Sequence, residues 1–204
     1  MLGKPVSFQL YTSTSDDVTH AEFRAYVERL GLQERYPGVQ GVGFSRRFAP
    51  ESRDSLVAAI RRQGFSDFRV WPDTTVAERH AIVYLEPLDR RNRAAIGYDM
   101  FTEPTRRSAM AQARDNGQHA MSGGVTLVQE IEGRRQAGFL IYFPVYRGGN
   151  IPATEAARRA LLEGFVYAPF RADDLFAGIF GTEERPRVAF RIYDGERAAA
   201  EHLL

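Results

Sequence analysis

Three ionisable residues, Glu78, Arg79 and His80, stand together directly before a strongly apolar run. Because side chains alternate between the two faces of a strand, one of the three is expected to point into a cleft over the sheet. Asp99 follows the next apolar run, two residues after a glycine that lets a ligand or a backbone come close. The pattern fits a binding role and a structural role equally well. In the structural role, Asp99 caps the following loop and Glu78 pairs with Arg79.

A serine nucleophile needs a base within reach and a donor for the oxyanion. Ser122 precedes two glycines whose N–H groups could be such donors, and His80 or His119 could be the base. The spacing does not support this chemistry, since a glycine turn that enters a strand explains the same residues. Ser122 could still hydrogen-bond a ligand at that turn. A small hydrolase that uses Glu78, His80 and Asp99 is the alternative function from a different class.

Metal and nucleotide chemistry find little support in the sequence. The histidines are dispersed at His20, His80, His119 and His202, and there is no cysteine. A metal site would have to be built mainly from carboxylates, so we expect no metal and no cofactor. Gly41-Val42-Gly43 resembles the start of a dinucleotide loop, but it lacks the third glycine and lies inside a predicted strand. Its glycines are better explained by close packing of the strand.

Composition narrows the class of protein further. The 204 residues suit one large domain or two small ones, and a formal net charge of +1 argues against a nucleic-acid binder. The lack of cysteine excludes disulfides and cysteine nucleophiles. No apolar run approaches the roughly 18 residues of a membrane span, and no signal peptide opens the chain. Both ends look like cut points, so we expect a soluble piece of a longer protein.

The elements that must position the candidate residues lie mainly between Glu78 and Tyr146. Strands are predicted over 81–87, 95–101, 124–130 and 138–146, with a hairpin turn at Glu132-Gly133 and a helix over 104–116. Hairpins around one amphipathic helix predict an α+β fold, in which a half-open antiparallel sheet has a cleft over one face. In the last strand, alternation predicts that Phe139, Ile141 and Phe143 face the core.

The flanking segments show conventional start and stop signals. Thr19 to Glu22 is a capping box before a helix that ends at Gly31. A strand over 42–48, a helix over 50–63, a strand over 65–71 and an exposed hairpin tip over 88–93 are predicted next. A Gly-Gly-Asn break at 148–150 predicts a domain boundary. Beyond it we predict a helix over 151–163 capped at Thr154, a strand over 165–170, a helix over 173–180 and a strand over 188–193.

Several ordered motifs resemble the CHASE domain, and together they cover roughly Thr19 to Gly195. They are Glu78-Arg79-His80 before Val83-Tyr84-Leu85-Glu86-Pro87, then Gly97-Tyr98-Asp99, Pro104-x-Arg106-Arg107-x-Ala109, Thr126-Leu127-Val128-Gln129-Glu130 and Pro144-Val145-Tyr146. The most specific single run is Gly164-Phe165-Val166-Tyr167-Ala168-Pro169-Phe170-Arg171-x-x-Asp174-Leu175. Each motif alone is weak, and their order and spacing give the resemblance its strength.

The resemblance implies an extracytoplasmic sensor of histidine kinases, nucleotide cyclases, and diguanylate cyclases or phosphodiesterases. Residues 1–37 would be a lead-in and the remnant of a stalk helix, and 38–150 a membrane-distal PAS-like ligand-binding domain. Residues 151–204 would be a linker helix with a smaller membrane-proximal PAS-like domain, incomplete or completed by the first. The chain would lie on the periplasmic or extracellular face of the plasma (inner) membrane, anchored only through flanking segments. The full-length receptor would be a homodimer that carries the enzymatic output, while this piece would not be an enzyme.

The resemblance also implies a ligand cleft, in which the acidic residue that binds adenine in plant cytokinin receptors falls at Glu78. The expected lining residues are Glu78, His80, Tyr84, Tyr98, Asp99, Phe101, Ser122 and Tyr142. The longer glutamate and the bulky Tyr98 and Phe101 disfavour cytokinin itself.

The chemistry of the lining predicts a class of ligand. A buried carboxylate needs a donor, so the ligand is expected to carry N–H or O–H donors or a positive charge beside an apolar body. A purine-like or amine-bearing metabolite fits, whereas carboxylates would repel a phosphate-rich one. The third hypothesis is a ligand-free dimerisation module whose cleft is filled by its own Phe and Tyr side chains.

Overall fold

The computed structural model describes residues 18–32, 38–129 and 137–180, and within them the fold is α+β, as predicted. Its centre is a five-stranded antiparallel sheet in the order β2-β1-β5-β4-β3. The strands are β1 Val42–Phe48, β2 Arg79–Glu86, β3 Ala120–Met121, β4 Gly138–Tyr146 and β5 Leu162–Arg171.

Helices cover both faces of this sheet. They are α1 His20–Leu30, α2 Arg53–Arg62, α3 Arg90–Ala95, α4 Pro104–Asn116, α5 Glu155–Leu161 and α6 Ala172–Phe180, with 3-10 turns at Pro50–Ser52 and Met100–Thr102. The predicted capping box at Thr19 and Glu22 is confirmed, and so is the cap that Thr154 gives to α5. No helix in the described segments is both long and apolar enough to cross a bilayer.

The last strand of the described chain, β5, lies in the middle of the sheet. It pairs with β1 on one side and with β4 on the other, so that Tyr167 lies opposite both Gly43 and Tyr142. The boundary predicted at 148–150 assigns this strand to a second unit, whereas its backbone hydrogen bonds are made with β1 and β4 in one sheet. Residues 181–204, including the strand predicted over 188–193, lie outside the described residues.

Three runs predicted as strands are not strands in the structure. Residues 65–71, 95–101 and 124–129 form no strand, and single bridges join Trp71 to Tyr98, Ala81 to Asp99 and Val125 to Gly138. The segment around Gly97 covers the outer edge of β2, since Gly97 donates to the Ile82 carbonyl at 2.8 Å and Ile82 donates to the Tyr98 carbonyl at 3.0 Å. At φ 82°, a side chain at Gly97 would be strained and would strike the Arg69 carbonyl.

The predicted exposed tip at 88–93 is largely the short helix α3. The Asp89 carboxylate accepts the Asn92 backbone N–H at 2.7 Å and caps the helix. The Asn92 side chain is only 1% exposed and donates to the carbonyls of Gln40 and Pro87 at 2.9 and 2.8 Å. A charged run therefore forms a helix here because one asparagine turns inward and ties it to two loops. The hairpin turn predicted at Glu132-Gly133 lies outside the described residues.

The sheet separates two apolar clusters. We call the side covered by α4 the α4 face; its cluster includes Ile82, Leu85, Met100, Phe101, Met110, Leu140, Tyr142, Phe165 and Tyr167. The opposite side is the α2 face; its cluster includes Phe23, Val27, Phe48, Ile60, Val83, Tyr84 and Val166. In β4 the fully buried residues are Leu140 and Tyr142, whereas Phe139, Ile141 and Phe143 are half-buried. The predicted set lies on the α2 face, where Phe143 packs against the cluster, but the completely buried side chains of the strand belong to the other set, under α4.

An irregularity in the β1–β2 ladder changes which side chains share a face. Phe44 lies opposite Tyr84, but the next residue, Ser45, lies opposite Ile82, so that Val83 is an additional residue in β2. Such a bulge reverses the alternation beyond it. Ile82 therefore packs on the α4 face, while Val83 and Tyr84 both pack on the α2 face.

Candidate functional site

His80 lies at the start of β2 on the α4 face and is completely buried. Its ring packs between two aromatic rings, with centroid distances of 4.6 Å to Phe101 and 5.2 Å to Phe165. Its Nε2 lies 3.1 Å from a carboxylate oxygen of Glu78, whereas its Nδ1 is buried with no hydrogen-bond partner in the structure. One edge of the imidazole is therefore satisfied, and the other faces the interior unpaired.

Glu78 connects three elements on this face. One of its oxygens accepts from Nη1 of Arg114 in α4 at 2.7 Å. The other lies 3.1 Å from His80 and 3.4 Å from Nε of Arg47 in β1. Burial alone would raise the pKa of Glu78, but His80, Arg114 and Arg47 together lower that pKa to about 2. Since the two arginines remain charged, the carboxylate is ionised even when His80 is neutral.

The proton positions on His80 follow from this geometry. An ionised carboxylate can only accept, so Nε2 must carry the proton that it shares with Glu78. Burial lowers the pKa of His80, outweighing the opposite influence of Glu78 and Asp99. In the resulting neutral imidazole, Nδ1 presents a lone pair and is an acceptor.

Asp99 is completely buried, and its partners come from the protein itself. One carboxylate oxygen accepts from Nε of Arg79, which is 4% exposed. The other accepts the backbone N–H groups of His80 at 3.0 Å and Phe101 at 3.1 Å, and so caps the 3-10 turn that follows. The structural role foreseen for Asp99 is thus present, but Arg79 pairs with Asp99 and not with Glu78.

The predicted aromatic walls divide between the two faces. Tyr142 is completely buried on the α4 face, with its hydroxyl 3.8 Å from the sulfur of Met100, and burial raises its pKa. Tyr98 is half-buried at the edge, 4.9 Å from Trp71 and 5.3 Å beneath the guanidinium of Arg106. Together with Phe101, these two rings share one face with His80.

Tyr84 and Ser122 stand apart from that group. The bulge places Tyr84 on the α2 face, where its hydroxyl donates to the Val18 carbonyl or the Gln63 side chain at 3.1 and 2.7 Å. Ser122 follows β3 and is 3% exposed. Its hydroxyl accepts from the Leu140 N–H at 3.0 Å and donates to the Gly123 carbonyl at 2.9 Å, so it is satisfied within the turn.

Two residues that the sequence reasoning missed belong to the α4 face. Ser45 is completely buried, lies opposite Phe165 and Ile82, and its hydroxyl has no hydrogen-bond partner in the structure. Tyr167 is 1% exposed and its hydroxyl is also unpaired. Its ring crosses the strand at Gly43, where a Cβ atom would lie 2.4 Å from the ring carbon that bears the hydroxyl. The sequence could have indicated both residues, because each is a polar residue at a core-facing position of a predicted strand.

An ion-pair network ties α4 to α5. Asp115 at the end of α4 binds Arg159 of α5 at 2.7 Å and the neighbouring Arg114 at 2.7 Å. Hydrogen bonds to Arg159 and Arg114 hold the pKa of Asp115 well below its usual range. Arg47 donates to the Arg159 carbonyl at 2.6 Å, so β1, α4 and α5 meet at this corner.

A concave surface lies on the other side of the sheet. This α2 groove has a volume of about 440 Å³ and is lined mainly by apolar side chains, among them Phe44, Phe48, Leu56, Ile60, Val83 and Val145. It contains Tyr84 but none of the other predicted site residues. We place the candidate site on the α4 face, because the buried ionisable and unpaired polar groups lie there and not in the groove.

The α4 face does not have the geometry of a hydrolase. Glu78 and His80 form a base-like pair, but among the described residues no hydroxyl lies within hydrogen-bonding distance of Nδ1. His119 packs against Phe143 at 5.5 Å, and its ring is not among the contacts of Ser122. Within residues 18–32, 38–129 and 137–180, no group of three or more His, Asp or Glu side chains could hold a metal ion.

Comparison with known proteins gives a family for the chain. No curated protein matches it. The CHASE domain profile matches residues 16–204, which contain all the strands, helices and site residues described above. The chain therefore belongs to the CHASE domain family, a family of extracytoplasmic sensory domains that are sensors and not catalysts.

Proposed function

We propose that this chain is the input domain of a membrane-anchored receptor and that it binds a small molecule on the α4 face. The observation that carries the proposal is a set of buried polar atoms without hydrogen-bond partners, Nδ1 of His80, Nε of Arg106 and the hydroxyls of Ser45 and Tyr167. Leaving a buried polar group unpaired costs about 1–3 kcal/mol, so native structures rarely retain several on one face without a use. A ligand that pairs with them would bind with that advantage.

The contacts of Glu78 and Asp115 offer a route from such a ligand to the rest of the domain. A molecule between the sheet and α4 would displace α4, whose last turn is fixed to Glu78 through Arg114 and to α5 through Asp115. The helix α5 runs directly into β5, and β5 into α6. Ligand binding would therefore shift the populations of two arrangements of α4 and α5 and move the C-terminal end of the described chain.

The wider setting of the proposal follows the family. As a CHASE domain, the chain would face the periplasm or the extracellular space, in a homodimeric receptor with a kinase or cyclase output. The α+β sheet with helices over both faces is compatible with a PAS-like sensor. We place the output domain outside this chain.

The test is an unbiased search for the ligand. The full chain is incubated with a small-molecule extract and examined by native mass spectrometry and by hydrogen exchange. We expect a retained small molecule and slower exchange in α4 with the wild type, and both effects to weaken with Tyr167→Phe. Tyr26→Phe, a change of the same size in α1, is the matched control. If no extract yields a retained molecule or protects α4, the proposal is wrong.

A dimerisation module is the second candidate, because one observation favours it. The α4 face is closed by the protein's own aromatic side chains, Phe101, Tyr142 and Phe165. Such a module would form a tight dimer and bind no selective ligand. Sedimentation at micromolar concentration, with and without the extract, separates the two: the sensor predicts a monomer or weak dimer that responds to ligand, and the module a tight dimer that does not.

A further inference from the structure

Five charged residues form a closed ring at one corner of the domain. Glu78 accepts from Nη1 of Arg114 at 2.7 Å, and Nε and Nη2 of Arg114 donate to Asp115 at 2.7 and 3.2 Å. The same Asp115 carboxylate accepts from Nε and Nη2 of Arg159 at 2.9 and 2.7 Å. Arg47 closes the ring, because it donates to the Arg159 carbonyl at 2.6 Å and its Nε lies 3.4 Å from Glu78. We call these five residues the charge ring.

The charge ring joins four parts of the chain that are far apart in sequence. Arg47 lies in β1, Glu78 directly precedes β2, Arg114 and Asp115 lie at the end of α4, and Arg159 lies in α5. The side chains become more exposed towards α5, from 10% at Arg114 to 20% at Asp115 and 53% at Arg159. Salt screens exposed charges more strongly than buried ones, so the ring is weakest where it reaches α5.

Two routes lead from Glu78 to α5. One passes through Arg114 and Asp115 to the guanidinium of Arg159, and the other passes through Arg47 to the carbonyl of Arg159. Both routes begin at one carboxylate and end at one residue, which they hold from its side chain and from its backbone. A displacement of Glu78 therefore changes the geometry of both routes at once.

The helix α5 depends on such polar contacts to stay in place. None of its residues is fully buried. Most helices in proteins are held by the packing of an apolar face, and α5 lacks one. Polar contacts tie it to its neighbours, since Arg158 also donates to the Asp115 carbonyl at 2.7 Å. A short helix held in this way should be released when its ion pairs are disturbed.

We propose that the charge ring is a latch, which keeps α5 docked against α4 while Glu78 holds both of its arginines and releases α5 when Glu78 is displaced or loses its charge. His80 lies 3.1 Å from Glu78, so a change at the candidate site reaches α5 through this carboxylate. The latch is present without any ligand, and the inference therefore goes beyond the proposed function and does not depend on it. Because coupling between two sites is reciprocal, a change at α5 must also be felt at His80.

Hydrogen exchange tests the latch from Glu78 towards α5. The measured quantity is the protection factor of the α5 amides relative to that of the buried β5 amides, so that a global loss of stability cancels. Glu78→Gln keeps the size of the side chain and removes its charge. We expect the relative protection of α5 to fall about fivefold, the factor that corresponds to about 1 kcal/mol.

The matched control for this variant is Glu86→Gln, the same substitution at a buried carboxylate of β2 outside the charge ring. It should leave the relative protection of α5 unchanged. An unchanged value in Glu78→Gln, or an equal fall in both variants, would overturn the inference.

The reverse direction is tested by Arg159→Gln, which is expected to fold even if Glu78→Gln does not, because Arg159 is half-exposed. The readout is the ¹⁵N resonance of Nε2 of His80, a residue that Arg159 does not contact. We expect Arg159→Gln to move this resonance. Glu155→Gln removes the other ion pair of Arg159, at 2.8 Å and outside the charge ring, and should not move it.

Salt gives a third measurement that needs no variant. Raising NaCl to about 1 M should lower the relative protection of α5 in the wild type, and have little further effect in Arg159→Gln. A His80 resonance that does not respond to Arg159→Gln, or a wild-type α5 that does not respond to salt, would show that the five residues form independent pairs and would overturn the inference. The proposed sensor function would still stand, because only the extract experiment tests ligand binding.

Discussion

Each face of the sheet carries an apolar cluster, but the two faces differ in the polar groups that they bury. On the α4 face, ionisable residues enter the core and find partners there, as Asp99 does with Arg79 and Glu78 with Arg114. On the α2 face, the cluster is made of Phe, Val, Ile and Tyr, and an open groove of about 440 Å³ remains between α2 and the sheet. The groove leaves the second face more adaptable, although Glu86 is buried there and pairs with His20 of α1 at 2.5 Å, whereas the ion pairs under α4 hold the first face in one arrangement.

The largest difference between the faces should appear when a buried charge loses its partner. Asp99→Ala leaves the guanidinium of Arg79 buried and unpaired, and should lower the free energy of unfolding by about 3–5 kcal/mol. Glu28→Ala, which breaks the exposed pair with Arg24 on α1, should cost less than about 1 kcal/mol. Urea denaturation measures both. Similar losses for the two variants would show that the buried pair does not distinguish the α4 face.

Core truncation in β4 compares the two faces within one strand. Leu140 is 1% exposed under α4, whereas its neighbour Ile141 is half-buried on the other side. Leu140→Ala should lower the free energy of unfolding by about 2–5 kcal/mol, as buried leucine truncations do. Ile141→Ala should cost less, because part of its surface is already in water. A greater loss for Ile141→Ala would reverse our assignment of the two faces.

Acidification should affect the α4 face first. Because burial lowers the pKa of His80 below its ordinary 6.5, the folded protein binds fewer protons than the unfolded chain just below that value. The contribution of the neutral His80 to the free energy of unfolding is therefore fully present above about pH 6.5. It decreases as the pH falls below that value. Because the pKa of Glu78 is lowered from its ordinary 4.5 to about 2, the free energy of unfolding decreases a second time as the pH falls between these two values.

This pH dependence is measured by urea denaturation at a series of pH values. His80→Gln, which has no titrating ring, should remove the loss that begins near the ordinary histidine value and leave the one at lower pH. A wild-type profile that is flat between pH 6.5 and 5 would contradict the assignment of a neutral, buried His80.

The smallest effect is expected on the α2 face, at the start of α1. The Thr19 hydroxyl caps this helix and Phe23 and Val27 pack it against the sheet. Thr19→Ala should cost about 0.5–2 kcal/mol, and Thr19→Ser, which keeps the hydroxyl, much less. Hydrogen exchange of α1 amides is the measurement. Equal exchange in all three proteins would show that the helix is held by its apolar contacts alone.

Local signals in the sequence were sufficient for most of the helices. The capping residues Thr19 and Thr154 and the proline at Pro104 identify three helix starts correctly, because capping depends on neighbours in the chain. The strands β1, β2 and β4 follow from apolar runs for the same reason. The family was also recognisable, since its motifs are read in order along the sequence.

What the sequence did not show depends on long-range pairing. Nothing near Val83 predicts a bulge, yet that residue decides that Tyr84 lies on the α2 face. Similarly, the sequence left Glu78 and Asp99 equally suited to a binding and a structural role, because their partners Arg114 and Arg79 are assigned only by the three-dimensional packing. Ser45 and Tyr167 were missed because the sequence shows a polar residue in a predicted strand but not whether its hydroxyl has a hydrogen-bond partner.

The position of β5 has a consequence for how the chain acquires its structure during synthesis. Its neighbours β1 and β4 cannot be joined until residues 162–171 have emerged, because Gly43 and Tyr142 both pair with Tyr167. Until then β1 and β4 each present an unpaired edge, which is a template for association with other chains. Contacts over such long sequence separations also form slowly. We therefore expect the newly made chain to depend on chaperones until β5 is inserted, and the whole sheet to become resistant to proteases in one late step.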